Sequence, residues 1–132
     1  MHASRLMQLL NGSGLPTRGY RFERTTETAL SAMAQSLRAR HGAQSSDAQS
    51  VTLIEVDAED TAYLVTRPGH FAHPSILRRR LLADARTKCI DVDGHTAASD
   101  AIMQKWVAQF MEQDAQLQRA LRPAQTDRDR PQ

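Results

Sequence analysis

Three histidines, His70, His73 and His95, with Asp91 and Asp93 close to the last, are the residues whose types point first to chemistry. Neutral imidazole is the commonest protein metal ligand, and a carboxylate can complete a tetrahedral site. If the 68–74 loop met the turn at 94–96, the three rings would form a zinc or copper centre. The spacing does not supply a ready-made one: Pro68 and Pro74 bracket His70 and His73, and no H-E-x-x-H pattern is present. The plainer reading has these imidazoles bonding loop backbone and holding the turn in shape. No cofactor is therefore expected, and a metal-binding protein or metal-dependent enzyme using His70, His73 and His95 stands as the alternative.

Nucleophilic chemistry finds less support. Cys89 is the single cysteine, so no internal disulfide can form, and activation would need a histidine beside it. It lies in an alternating stretch, Lys88 to Asp93, where a lone thiol reads as a small core residue or an inert surface thiol. No Gly-x-Ser-x-Gly elbow occurs, and Gly12-Ser13-Gly14 lacks the Lys-Ser/Thr of a phosphate loop. No catalytic residue is expected.

Charge is more informative in its distribution than in its total of +2. Residues 1–50 carry +3, 51–66 carry −4, 67–88 carry +5 and 89–132 carry −2. An acidic block thus precedes a basic one, which suggests screening between neighbouring elements or, as a sharper reading, a charged docking surface. Arg78-Arg79-Arg80 is the densest run. On a strand, Arg78 and Arg80 would share one face and Arg79 the other. No aromatic side chains interleave with the run, and the net charge is small, so nucleic acid is not an expected partner.

The elements that must position these residues follow from periodicity. Thr25 or Thr26 caps a helix over about 26–41, with Leu30, Met33 and Leu37 on one face and Gly42 beyond its end. A longer helix over 99–121 carries Ile102, Met103, Trp106, Val107, Phe110, Leu117 and Leu121, and Pro123 should stop it. Its stripe is expected to be the main core contact, and it is also the candidate seam for a homodimer. Residues 51–56 and 61–66 read as a hairpin around the polar Asp57–Asp60, and 20–24 and 88–93 alternate as strands should. Gly42–Ser50 has no large apolar side chain and reads as a flexible loop. Residues 75–82 fit a helix or a strand.

The segment Tyr63-Leu64-Val65-Thr66-Arg67-Pro68-Gly69-His70-Phe71-Ala72-His73-Pro74 resembles a stretch found in small uncharacterised bacterial proteins, many of them apparently exported. There an apolar strand runs into a Thr-Arg/Lys-Pro-Gly-His loop and an Ala-His-Pro step, followed by a strand pair, a Gly-containing turn and a Trp-bearing helix. Gly94-His95-Thr96-Ala97 and Trp106 to Phe110 would match the later parts. Phe71 stands where the pattern has a smaller residue or Pro, and Ala98 where it has Gly. The resemblance implies strands for 75–82 and supplies no activity.

These readings combine into an α+β fold: a mostly antiparallel sheet of about four strands with two main helices, 26–41 and 99–121, on one face. Residues 1–19 form an N-terminal arm or loop, 20–122 a single domain and 123–132 a disordered tail. The expected function is a non-enzymatic protein-interaction module (accessory, adaptor or inhibitor-like) that binds a protein partner through the open sheet face and the 67–74 loop. Its binding residues would be Arg67, His70, Phe71, His73, Arg78 and Arg80. No apolar run is long enough to span a membrane. As the chain stands Leu6 to Leu10 is too short for a signal sequence, which suits the cytoplasm; a removed leader would place it in the periplasm.

Overall fold

The computed structural model describes residues 17–40, 42–48, 50–83 and 87–129. Along them run β1 (Thr17–Arg24), α1 (Glu27–Ala39), β2 (Gln44–Ala48), β3 (Val51–Val56), β4 (Thr61–Thr66), β5 (Ser75–Ala83), β6 (Lys88–Thr96) and α2 (Asp100–Asp129), with a 3-10 turn at Asp57–Glu59. The strands form one six-stranded sheet in the order β1-β6-β5-β4-β3-β2. Strands β2 to β6 are an antiparallel meander, while β1 runs parallel to β6. The chain therefore crosses from one edge of the sheet to the other through α1.

Local chemistry accounts for most element boundaries. Thr26 caps α1, its Oγ1 accepting the Ala29 N–H at 3.1 Å, and Glu27 and Arg38 sit at the ends where the helix dipole favours their signs. Ser99 does the same for α2 by accepting the Ile102 N–H at 3.2 Å. Asp60 closes the β3–β4 turn at φ 50°, a left-handed conformation that Asp tolerates better than most residues. Residues 67–74 fold into successive tight turns, with backbone bonds from His70 to Arg67 and from His73 to His70.

Both helices pack on the sheet, but on opposite faces. Leu30, Ala34 and Leu37 of α1 meet Ile54, Val56, Tyr63, Val65 and Ile76. Met103 and Trp106 of α2 meet Ala62, Leu77, Ile90 and Val92, with Tyr20, Phe22 and Phe110 alongside. Because side chains alternate along a strand, these two sets lie on the two sides of the sheet. This corrects the expectation of two helices on one face. The reason is that β4 and the start of β5 are apolar at both parities, so neither side can be left to water.

Other boundaries also differ. The sheet has six strands rather than about four, and its mostly antiparallel order is completed by one parallel pair, β1 with β6. The 42–50 stretch holds β2, an exposed polar edge strand that pairs residue by residue with β3. Thr17–Gly19 belong to β1, not to an arm, and residues 1–16 lie outside the described residues. Helix α2 passes the expected stop at Pro123 and its backbone runs to Asp129. The strand reading of 75–82 matches β5. No helix among the described residues is long and apolar enough to cross a membrane.

Candidate functional site

The α1 side of the sheet is covered unevenly. The helix lies over β3, β4 and part of β5, and it leaves a cleft of about 800 Å³ between itself and the β5–β6–β1 side. Ala32, Met33, Ser36 and Leu37 form the helical wall, and Arg40 closes one end. The floor is a row of charges set by strand register. Arg21 of β1 pairs with Asp93 of β6, Asp93 with Arg78 of β5, and Arg78 with Tyr63 of β4. Opposite charges on directly facing strand positions stabilise one another, and the uncharged Tyr63 ring ends the row.

Its bonds are specific. Arg78 donates to both Asp93 oxygens, from Nε at 2.8 Å and from Nη2 at 2.5 Å, a forked geometry that lysine could not reproduce. The Asp93 hydrogen bond, acting against burial, holds the Arg78 guanidinium more firmly charged, and Tyr63 adds to this. Arg40 donates to the Tyr63 hydroxyl and to Glu59, each at 3.0 Å. One step along the strands, Asp91 is almost fully buried. It accepts from Arg80 Nη2 at 2.8 Å and from Arg21 Nη2 at 3.2 Å. Burial pushes the Asp91 carboxyl up, but the Arg80 hydrogen bond and the charges of Arg21, Arg80 and Arg18 outweigh it and hold the carboxyl below its ordinary value. One carboxylate facing three guanidiniums leaves a local positive excess beside the cleft.

The expected site residues are thus divided among three places. Arg78 and Arg80 lie on the cleft side, and Arg79 points the other way, its guanidinium 5.9 Å from the Phe110 ring. Their carboxylates come from β6, whereas Glu59 of the acidic turn pairs with Arg40, the residue after α1. His70 and Phe71 belong to the α2 side. His70 meets Trp106 edge-on at 5.1 Å and stacks on Phe71 at 5.0 Å, and Lys105 sits over the exposed Phe71 ring. Arg67 faces Asp47 at 3.8 Å, at the far end of the 67–74 loop. The open face and the loop therefore do not form one surface, a second consequence of helices on both sides.

The three histidines do not converge. His95 lies on the cleft floor, with Nε2 3.5 Å from Glu23, while His70 lies across the sheet against Trp106. His70 Nδ1 accepts the Ala72 N–H at 3.0 Å, and His73 Nδ1 meets the Thr66 hydroxyl at 2.9 Å. Both rings thus bond the loop and its flanking strand. Burial, and then the nearby His73 charge, lower the His70 pKa. Among the described residues no group of three or more His, Cys, Asp or Glu is arranged to hold a metal ion.

Several cleft residues carried no signal of their own in the sequence. Arg21 was visible as part of the alternating Tyr-Arg-Phe-Glu-Arg, but its facing strand was not; Met33 read as part of the packing stripe of the helix, and Ala32 and Ser36 stood out in no way. Comparison of the chain with known family models, curated proteins and solved structures gives no match.

Proposed function

We propose that this chain is a protein-binding module whose docking surface is the cleft between α1 and the β5–β6–β1 side of the sheet. The observation that carries the reading is the composition of the cleft: an apolar helical wall facing a floor of charged groups already locked to one another. Such a surface suits a partner with an apolar anchor and carboxylates that meet the positive excess around Asp91. Side chains held by each other need little ordering on contact, which favours binding. The floor groups are bonded as ion pairs, not as a nucleophile with its base, so recognition explains them better than catalysis does.

Ala32→Arg tests this. Ala32 is exposed and helical, so arginine leaves α1 intact while filling the cleft mouth. A partner isolated on the wild-type chain should bind Ala32→Arg at least about tenfold more weakly, a loss of about 1.4 kcal/mol. It should bind Thr28→Arg, a change on the exposed first turn of α1, as before. Equal binding to all three proteins would refute the proposal.

A further inference from the structure

The cleft ends at β1, an edge strand, and a second groove of about 440 Å³ lies on the other side of that same strand, between it and α2. Arg21 and Glu23 point into the first space, and Phe22 with Tyr20 borders the second, beside Val107 and the exposed Met111. The backbone of β1 is also oriented. Thr25 donates its N–H to Thr96 of β6 at 2.8 Å. Since backbone groups alternate sides along a strand, the N–H and C=O of Phe22 and Arg24 point away from β6, where no strand lies among the described residues. The irregularity between Thr17 and Tyr20 breaks the register before this stretch, and Arg24, tied to Ala98 O and Asp100, fixes its end.

We propose that β1 accepts an extended segment of the partner as a seventh strand, paired through the backbone of Phe22 and Arg24. The inference rests on the cleft being the docking surface and specifies what enters it. Alternate side chains of the added strand fall on alternate faces. On the cleft face, one meets Arg21 and the next meets Glu23, both largely exposed. On the α2 face, the residue between them meets Phe22 and the apolar groove. The segment therefore reads carboxylate, apolar, then basic or neutral, with the carboxylate opposite Arg21. A segment acidic at both outer positions is disfavoured by Glu23, and one basic at both is disfavoured by Arg21.

The probes are capped peptides of about nine residues, long enough for one strand, alternating valine with threonine around a central Glu-Val-Lys or, for the opposite strand direction, Lys-Val-Glu. One of the two should bind the full chain at least about tenfold more tightly than Glu-Val-Glu or Lys-Val-Lys versions, and its advantage over Lys-Val-Lys, but not that over Glu-Val-Glu, should vanish in Arg21→Gln. N-methylation of the alternate peptide residues that face β1 should abolish binding, whereas N-methylation in the other phase should not. Amide exchange at Phe22 and Arg24 should slow on binding. Equal damage from both methylation phases, or binding that perturbs Ala32 and Arg78 without protecting Phe22 and Arg24, would overturn strand addition while keeping the cleft. Failure of every peptide would also overturn it, and the Ala32→Arg comparison would still decide the cleft separately.

Discussion

Asp91→Asn removes one charge from between Arg80 and Arg21 while preserving side-chain shape. In the wild-type chain the carboxylate is 1% exposed and receives Arg80 at 2.8 Å and Arg21 at 3.2 Å. Arg80 depends on this bond, because its Nε is buried with no hydrogen-bond partner among the described residues. Breaking a fully buried ion pair costs about 3–5 kcal/mol. Here the guanidiniums reach solvent, Arg80 by about a third and Arg21 by more than half, so screening reduces the cost to about 2–3 kcal/mol. In a chain of this size that corresponds to a fall in Tm of about 10 °C. Urea denaturation at pH 7 should show a lower midpoint with an unchanged slope. The pH dependence adds a second check. The Asp91 pKa is lowered in the folded protein, so its contribution is complete above the ordinary value of 3.8 and is lost as pH falls through the folded value. The gap between wild type and variant should therefore hold steady from neutral pH down to about 5 and close in stronger acid. A loss under about 1 kcal/mol at pH 7 would show that the three arginines do not depend on Asp91, and a gap that persists in acid would assign the loss to packing.

Three further outcomes are expected. Gly94→Ala would drive a Cβ into the Ile76 carbonyl oxygen and to 2.9 Å from Phe22 Cε1, costing about 2–3 kcal/mol by denaturant titration; a neutral result would mean that β6 is not so closely packed against β5 and Phe22. Lowering pH through about 6.5 should weaken the fold, because the depressed His70 pKa favours the neutral ring; that contribution is present above 6.5 and lost as pH falls through the folded value. His70→Gln should flatten this slope, and an unchanged slope would assign it elsewhere. Trp106→Ala should cost about 3–5 kcal/mol, while Phe71→Ala, at an exposed loop position, should cost under about 1 kcal/mol, as read by thermal unfolding.

Much of the scaffold was legible because local signals were consistent. The cap at Thr26, the stripes of both helices and the hairpin of β3 and β4 around a polar turn are all short-range. What stayed hidden was long-range or lacked a side-chain signature. Gln44–Ala48 forms a strand through backbone pairing with β3, and nothing in Gln-Ser-Ser-Asp-Ala favours one. The two-sided sheet had a signal that could have been weighed: Ala62-Tyr63-Leu64-Val65 has no polar alternation, the mark of a strand buried on both faces. In the site, Arg78 and Arg80 stood out as a charge run, and Asp91 and Asp93 were noticed only as neighbours of His95. Strand register turns those four into two ion pairs, and register between β5 and β6 cannot be read from either strand alone.

The placement of β1 has a consequence for how the chain is made. Its first strand finds its neighbour only after Arg21 and Asp91, 70 positions apart, have both left the ribosome. Until then a nascent chain can assemble β2 to β5 locally, but β1 stays without its mate, and closure over so long a loop is slow. Release of β6 from the exit tunnel, rather than formation of α1, should therefore set the moment at which this sheet becomes protease-resistant.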